Sequence, residues 1–586
     1  MEERQFINRT YIKSLFPTAL SVLLIQLCSV FNNIVVGSVV GADGLAVMSI
    51  VNPVGFIFAT VGSLVAVGGS IQSAHCLGNQ NDDGSNRSLF TALKILAICG
   101  VAFTLAILIF NSQIAALLGT PTEISKETKK YLIAFAPAAF AAMGIYIPFN
   151  FLKIHGAQRY AVYVSFAMLI SNIGFDFLFA KVLDMGMAGI GLASTLSYWL
   201  SAFPGILLLF GKKGGYKLPK QKSKKGFDRS ILAGIVTSGS PSAVNNLCHL
   251  LRSYFMNLII VAAIGKAGLS TFSIISTTFM LSVTITNGTS LTMAPFAAVF
   301  SSQKDNTSLR QIFAVSIVSA IVLMTGFSAF VAFFPETVCR IFSMKDIGLI
   351  SDTSRALKLY AVSLIVSAVN TIFSTFYQSV KRTVCANILT VSRNFAGVVI
   401  FAFIISKLGK PENIWLGFLL AEIFTLAITF AISFITSRVS KNTSSVLMID
   451  TAAEKEGRYL AFSVERSNEK AAESAEKVKE FCEHNDLPPK ITMAIGLSIE
   501  EILISFNEHA LADGNKNIRT NVRILIYKDV IVLRFRAGGK PFDPIKYAEE
   551  DTEFASDSMG IKMIQKLAET VLYDRVFGLN NLTILF

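Results

Sequence analysis

The chain has 586 residues, of which 52% are hydrophobic and only 16% are charged. A soluble domain usually carries about 25% charged residues, so the composition excludes an ordinary soluble enzyme of this length. The formal net charge is +13, yet the part from Asn442 onward is acidic, with 18 Lys and Arg against 23 Asp and Glu. The basic excess therefore lies in short loops between apolar segments, which indicates orientation in a membrane rather than nucleic-acid binding.

About twelve apolar segments precede residue 440, and a helix of this length crosses about 30 Å of hydrocarbon. The predicted spans are 13–38, 45–72, 88–112, 130–152, 159–182, 187–211, 232–263, 268–300, 309–334, 353–379, 385–407 and 413–437. The polar stretch Met1–Arg9 is not followed by a small-residue cleavage site after the first span. We therefore expect no cleavable signal.

The loop after the sixth span predicts the orientation of the chain. Lys212–Arg229 holds eight Lys or Arg in eighteen residues, and such loops stay in the cytoplasm. With an even number of spans, both termini are then cytoplasmic. The expected location is the cell (plasma) membrane, with the lipid bilayer as the surrounding partner.

The two halves of the apolar part resemble each other. Pro17 and Pro241 open the first and seventh spans, 224 residues apart, and the same offset relates Asn81 to Asp305 at the ends of the second and eighth. This pattern predicts two six-helix bundles, 1–220 and 221–440. A site between repeats is typical of transporters.

One carboxylate of the first half lies well inside an apolar segment. It is Asp176, and Asn172 precedes it by four residues on the same helix face. An ionised side chain at this depth needs a partner or a function, and carboxylate with amide oxygens suits sodium or a proton. The alternative is a hydrogen-bonded structural acid near a helix end. Asn32 lies among apolar residues of the first span and cannot titrate.

The second half carries its buried charges in three spans. His249 and Arg252 lie three residues apart in the seventh span, and His249 is either a proton site or a hydrogen-bonded structural residue. Arg393 and Glu422, in the last two spans, are expected to form a structural ion pair.

These residues resemble the MATE family, the multidrug and toxic compound extrusion transporters, over roughly 10–440. The segments that carry the resemblance are Asn32–Gly37, Asn172–Asp176, Gly186–Gly189, Gly191–Thr195, Ile414-Trp415 and Ala421-Glu422. The resemblance implies cation-coupled antiport, with an organic and often cationic, lipophilic compound moving outward as the two halves rock.

The resemblance also implies a cation site in the first half, although one expected ligand differs. Asn172 and Asp176 match its amide and acid, and the hydroxyl falls on Ser194 or Thr195. The acid that many members carry in the first span is Asn32 here, and Asn245–Arg252 replaces the acid of the seventh span. The predicted cation and substrate pathway comprises Asp176, Asn172, Asn32, Ser194, Thr195, His249 and Arg252. Asp176 and Asn172 are the metal ligands if sodium is the ion.

The sequence is compatible with three alternative functions. The first is a sodium- or proton-coupled exporter of small molecules. The second is a lipid-linked oligosaccharide flippase of the same superfamily, which dense cationic residues in the central cavity would favour. The third is a membrane sensor that acts through the C-terminal domain.

The C-terminal part, 450–586, predicts an α+β sandwich domain. Lys470–His484, Pro489–Ala510 and Gly560–Thr570 have helical patterns, and Asn521–Tyr527 and Val530–Arg536 have strand patterns. A hairpin is expected at 578–581.

This part resembles the histidine-kinase-like ATPase domain, specifically its anti-sigma-factor serine kinase branch, over about 455–586. The matching segments are Ser498–Ile502, Glu508–Ala510, Gly538–Pro544, Met559–Ile561, Tyr573–Arg575 and Asn581–Thr583. The resemblance implies that Glu501 is the general base, and that Gly539 and Gly560 shape a nucleotide pocket. Ser505 stands in place of the magnesium-binding Asn, and Ala537 in place of the adenine-binding Asp.

Losing the charged hydrogen-bond partner of adenine at Ala537 costs about 1.5–3 kcal/mol. We therefore expect a degenerate domain with weak or no ATP binding and no kinase activity. It would act as a regulatory module or bind a cytoplasmic protein. No catalytic residue and no required cofactor are predicted for the chain.

Overall fold

The computed structural model describes residues 2–211, 214–217, 229–341, 347–408, 411–440, 442–444, 446–465, 467–510, 519–527, 530–550 and 556–586. Within these ranges, twelve helices are long and apolar enough to cross a membrane. The predicted all-α polytopic fold class is thus confirmed. The spans, numbered 1 to 12, are Glu2–Val39, Ala42–Gly78, Asp82–Leu117, Thr122–Phe151, Gln158–Val182, Gly186–Phe210, Arg229–Ala263, Lys266–Ser302, Asn306–Phe333, Ile347–Ser379, Thr383–Lys407 and Leu416–Val439.

Two details depart from the sequence expectation. Span 1 begins at Glu2 instead of residue 13, and span 4 is broken by a 3₁₀ turn at Ala136–Ala138. That turn contains Pro137, which has no backbone N–H to continue an α-helix. Most of the basic loop Lys212–Arg229 lies outside the described residues, so the orientation stays a prediction.

The internal repeat extends to the backbone of the turns. Gly41 and Gly265, 224 residues apart, precede spans 2 and 8 with φ of 85° and 82°. Asn81 and Asp305, separated by the same offset, both cap the following helix, because their side chains accept hydrogen bonds from backbone N–H groups. These matched geometries support two like halves.

The halves pack against each other near the end where span 2 finishes and span 7 begins. An added Cβ on Gly68 of span 2 would lie 2.0 Å from the Ile235 carbonyl oxygen of span 7, and one on Gly78 would lie 1.9 Å from Ser302 Oγ of span 8. Only glycine permits such close backbone approach. This end of the bundle, where the C-terminal domain also docks, is called the domain side.

The C-terminal domain is an antiparallel five-stranded sheet in the order β1-β2-β3-β5-β4. Its strands are β1 Arg458–Glu465, β2 Arg519–Tyr527, β3 Val530–Ala537, β4 Thr570–Val576 and β5 Leu579–Leu585. The helices Asn468–His484, Pro489–Ser505 and Ser556–Leu567 share one apolar core with the sheet. The sequence analysis placed most of these elements correctly but missed β1 and the short helix Pro544–Glu550.

The other face of the sheet is polar and docks on the second half. Arg523 of β2 and Arg536 of β3 both form ion pairs with Asp305, the cap of span 9. Arg536 also donates a hydrogen bond to Gln303 Oε1 at 2.6 Å. Asp305 is fully buried. One carboxylate therefore anchors two strands of the domain.

The turn between β4 and β5, Val576–Gly578, contacts both halves and is called the hairpin tip. The Phe577 N–H donates to the Ile154 carbonyl oxygen of the first half at 2.6 Å. The Phe577 ring stacks on Phe296 of span 8, with 3.8 Å between ring centroids. The hairpin tip thus joins the two halves on the domain side.

Candidate functional site

The centre of the candidate site is Asp176 in span 5. Its side chain is fully buried, and neither carboxylate oxygen has a hydrogen-bond partner. The α-helix ends at this residue and continues as a π-helical turn, Phe177–Val182. Such turns occur frequently at functional sites, and a second one, Ser392–Ala396, lies in span 11, the equivalent span of the second half.

Polar groups of spans 1, 5 and 6 surround this position. Asn32 Nδ2 donates to Ser194 Oγ at 3.5 Å, and Asn32 Oδ1 is buried without a partner. Cys28 Sγ donates to Asn172 Oδ1 at 3.4 Å. The structure therefore brings together predicted residues from three spans, and it leaves an amide oxygen free to accept.

Thr195 differs from Ser194 in where its hydroxyl points. Its Oγ1 lies 2.7 Å from the Ala134 carbonyl oxygen and 2.9 Å from that of Gly191. The single hydroxyl proton is thus committed to the main chain. Of the two predicted hydroxyls, Ser194 is the one in contact with Asn32.

Sequence analysis missed two neighbours of this site. Cys28 and Tyr131 both lie close enough to Asp176 to interact with it electrostatically. Tyr131 is in span 4, which carries no polar motif that would have pointed to it. No group of three or more His, Cys, Asp or Glu able to hold a metal ion occurs among the described residues. A cation here would be coordinated by one carboxylate with amide and hydroxyl oxygens.

The second half holds an extended ion-pair network. Arg393 Nη2 lies 3.2 Å from Glu422 Oε1, which confirms the expected pair. Asn370 Nδ2 donates to Glu422 Oε2 at 2.8 Å, and Arg393 Nη1 donates to Thr371 Oγ1 at 2.6 Å. A buried pair satisfied on all sides in this way is structural rather than free for transport.

His249 and Arg252 adjoin this network, away from the Asp176 site. The Arg252 guanidinium stacks on the Phe279 ring at 4.1 Å, and the His249 ring lies 5.1 Å from the same ring. Arg252 interacts electrostatically with both Arg393 and Glu422. The predicted pathway residues therefore fall into two separate groups, one in each half.

The residues predicted to form a degenerate nucleotide site in the C-terminal domain are closely packed. An added Cβ on Gly560 would lie 2.1 Å from Glu501 Oε2, so the carboxylate packs directly on this glycine. Ala537 is fully buried at the end of β3, and the Ser505 hydroxyl is buried without a partner. Gly539 has a φ of +114°, and its carbonyl accepts a hydrogen bond from Arg575 Nη2 at 3.1 Å.

Twelve helices of the described residues are long and apolar enough to cross a membrane, and they form two like halves with buried polar groups in each. This arrangement is typical of a polytopic membrane transporter. The sequence pattern of the MatE family matches residues 17–178 and 241–404, one match for each half. The chain belongs to the MatE family. Members of this family are secondary transporters and not enzymes.

Two relatives illustrate the similarity. The chain is 20% identical over 434 residues to the multidrug export protein MepA of Staphylococcus saprophyticus, covering 74% of this chain and 94% of that protein. It is 29% identical over 195 residues to DETOXIFICATION 39 of Arabidopsis thaliana. This match covers 32% of this chain and only 38% of that protein.

Solved structures share the fold. A crystal structure of MATE in complex with MaD3S has a TM-score of 0.69 and 20% identity, covering 75% of this chain and 97% of that one. A MATE family transporter in an outward-facing conformation has a TM-score of 0.67 and 20% identity, covering 73% and 95%. The agreement concerns the fold of the membrane part.

Proposed function

We propose that this protein is a sodium- or proton-coupled antiporter that exports organic, cationic or lipophilic compounds by alternating access. The observation that carries the proposal is Asp176, a buried carboxylate without a hydrogen-bond partner in a membrane span. Keeping it ionised there costs at least about 2.5–3.5 kcal/mol. Binding a cation or a proton offsets that cost, and releasing it restores the cost. Such a residue couples ion movement to conformational change.

The first prediction concerns Asp176→Asn, which keeps the shape of the side chain and removes its charge. We expect gradient-driven efflux of a lipophilic cationic dye from everted vesicles to be abolished in this variant. Imposing a sodium gradient and a pH gradient separately identifies the coupling ion. The matched control is Asp184→Asn, an exposed acid with φ of 51° in the turn after span 5, where Asn is well tolerated. Dye efflux retained by Asp176→Asn would refute this cation site.

A flippase remains the second candidate, and Arg252 is the observation that favours it. This buried guanidinium faces an aromatic ring and shares one acid, Glu422, with Arg393. A cationic group of this kind suits the phosphates of a lipid-linked oligosaccharide. Absence of dye transport under either gradient, in correctly folded protein, would shift the assignment to this function.

We further propose that the protein lies in the plasma membrane with both termini in the cytoplasm. We also propose that the C-terminal domain regulates transport. The ion pairs to Asp305 and the contacts of the hairpin tip support regulation, because they join the domain to both halves. The third candidate function, a membrane sensor, uses the same contacts to transmit a change from the membrane part to the C-terminal domain. The domain then passes the signal to a cytoplasmic protein.

The C-terminal domain is proposed to be a degenerate relative of the histidine-kinase-like ATPases. The packing of Glu501 on Gly560 supports this, because the Glu501 carboxylate occupies the space beside Gly560 where the resemblance implies a nucleotide pocket. The second prediction is that calorimetric titration of the full chain with magnesium and ATP shows weak or no binding. Tight, magnesium-dependent binding would overturn the proposal.

A further inference from the structure

Spans 1 and 5 lie side by side and run in the same direction. Gln158 Nε2 donates a hydrogen bond to Ser14 Oγ at 3.0 Å near the domain side, and Cys28 Sγ donates to Asn172 Oδ1 at 3.4 Å further into the bundle. The partners of both contacts are 144 residues apart in the chain. The stretch of helix between the two contacts rises about 21 Å. The two helices therefore keep one register over that length and form a parallel pair.

This register turns one basic side chain of each helix to the same side of the pair. Lys13 precedes the contact residue Ser14 by one position, and Arg159 follows the contact residue Gln158 by one position. A step back on one helix and a step forward on the parallel helix that faces it, each of about 100°, bring the two side chains round to the same side. Both residues are exposed, so the two cations lie together at the surface of the bundle.

The protein does not neutralise these two cations. Lys13 and Arg159 have no carboxylate partner and no side-chain hydrogen bond among the residues that the structure describes. Exposed Lys130, by contrast, pairs with Glu127 at 2.7 Å. Two unpaired cations at the domain-side ends of two membrane spans attract an anion at the membrane surface.

Apolar and aromatic side chains continue the same two helix faces away from the domain side. On span 1, Phe16 follows Lys13 by three residues and is 73% exposed. On span 5, Tyr163 and Ile170 follow Arg159 by four and eleven residues and are 65% and 64% exposed. Such spacings keep side chains on one face of a helix, and Tyr is typical of the boundary between membrane and water. Each face thus has a positive end with apolar surface beyond it.

We propose that Lys13 and Arg159 bind the phosphate of an anionic phospholipid from the membrane leaflet on the domain side, with its acyl chains lying along spans 1 and 5. Arg and Lys are strong donors to phosphate, and basic sites between membrane helices bind anionic head groups. A zwitterionic head group neutralises its own phosphate, so two unpaired cations favour a head group with net negative charge. A soluble phosphate contacts the cations but not the apolar faces, so the occupant is a lipid.

The bound lipid acts on the same pair of helices that carries the candidate cation site. The upper contact of the pair joins Cys28 to Asn172, four residues before Asp176. A lipid that bridges the two helices below this contact holds their register, and with it the positions of the polar groups around Asp176. We therefore expect the lipid to support transport, a consequence that rests on the proposed function.

The experiment is thermal unfolding of the purified full chain in detergent micelles with increasing phosphatidylglycerol, or with phosphatidylcholine of the same acyl chains. We expect phosphatidylglycerol to raise the Tm in a saturable way, because it binds the folded state, and phosphatidylcholine to raise it much less. The concentration dependence of the Tm gives the affinity. The double variant Lys13→Ala/Arg159→Ala should bind phosphatidylglycerol about thirtyfold more weakly, since each cation near a membrane surface contributes about fivefold.

The matched control removes two exposed cations at the opposite ends of spans 5 and 11. Lys181 and Lys407 each lie beside a phenylalanine ring there, and Lys181→Ala/Lys407→Ala changes the net charge by the same amount. Its affinity for phosphatidylglycerol should stay within about twofold of the parent. The variant Lys13→Arg/Arg159→Lys keeps both charges and should also bind like the parent. Thermal unfolding of each variant without lipid verifies that it is folded.

Four results would overturn the lipid site. They are equal effects of the two lipids on the parent, equal affinity of the parent and the folded double alanine variant, a similar loss in the control, and equal stabilisation by inorganic phosphate, which would indicate a site for a small anion. A dimer in lipid-free micelles that the double alanine variant abolishes would instead assign this face to a second copy of the chain.

Lipid binding and transport fail independently. Micelles hold no ion gradient, so a face that does not bind phosphatidylglycerol leaves the antiport proposal intact, and loss of antiport leaves the binding result standing. If both hold, dye efflux by the parent should be faster in vesicles that contain phosphatidylglycerol than in vesicles of phosphatidylcholine alone. The double alanine variant should not show this difference, and an equal response of both proteins would refute the effect on transport.

Discussion

At the scale of single residues, Asp305 shows how a repeated position acquires a new role. Its counterpart in the first half, Asn81, caps span 3 and is exposed, whereas Asp305 caps span 9 and is buried beneath two arginines. The change from amide to carboxylate converts a helix cap into an anchor for the C-terminal domain. The cap itself is preserved, because Asn and Asp are equally good in this position.

This comparison makes Asp305→Asn a specific test of docking. The variant should keep span 9 intact but leave Arg523 and Arg536 without their anion, which weakens docking by about 3–5 kcal/mol. Hydrogen exchange of β2 and β3 in the full chain should rise accordingly. The control is Glu454→Gln, which breaks the half-exposed pair with Arg310 in the same interface, at a cost of only about 0.2–1 kcal/mol. Equal hydrogen exchange in both variants would contradict the role of Asp305 as the anchor of the domain.

At the scale of elements, the hairpin tip depends on close contact with the turn between spans 4 and 5. Gly156 has a φ of 74°, and an added Cβ there would lie 2.3 Å from the Gly578 nitrogen. That space admits no side chain, so the glycine is what lets the tip reach the Ile154 carbonyl oxygen.

Gly156→Ala should therefore detach the hairpin tip and increase hydrogen exchange in β4 and β5. If the domain regulates transport, the rate of dye efflux should change as well. Gly119→Ala is the matched control, since Gly119 has almost the same φ, 73°, with no atom within 4 Å of the added Cβ. Both variants carry the same backbone strain of about 1–2 kcal/mol, and only the first should release the hairpin. A similar effect of both would assign the result to strain alone.

At the scale of the whole molecule, the sequence predicted the features that repeat along the chain. Hydrophobic length identified the twelve long apolar helices of the described residues, and one offset predicted the two halves. Asp176 was predicted as the centre of a cation site because a charged residue in an apolar segment is conspicuous. In the C-terminal domain, periodicity identified three helices and two strands. The strand β1 was missed, although Leu460, Phe462 and Val464 alternate with smaller or polar residues there.

Contacts between distant segments were not predictable, because they leave no local pattern. Asp305 and Arg523 are 218 residues apart, and His155 and Arg575 are 420 apart. Asp305 entered the sequence analysis only as a marker of the repeat, Asp574 only as part of the matching segment Tyr573–Arg575, and His155 was not named. The π-helical turns of spans 5 and 11 were also unforeseen, since their sequences are compatible with ordinary α-helix.

The polar character of the docking face has a consequence for how the domain leaves the bundle. Separation exposes Arg523, Arg536 and Asp305, and it also exposes the apolar contact between Phe577 and Phe296. Charges that attract across such a gap are screened over about 8 Å at physiological ionic strength. The balance between bound and free domain is therefore set in part by the salt content of the surrounding solution, and osmotic changes in the cell would shift it.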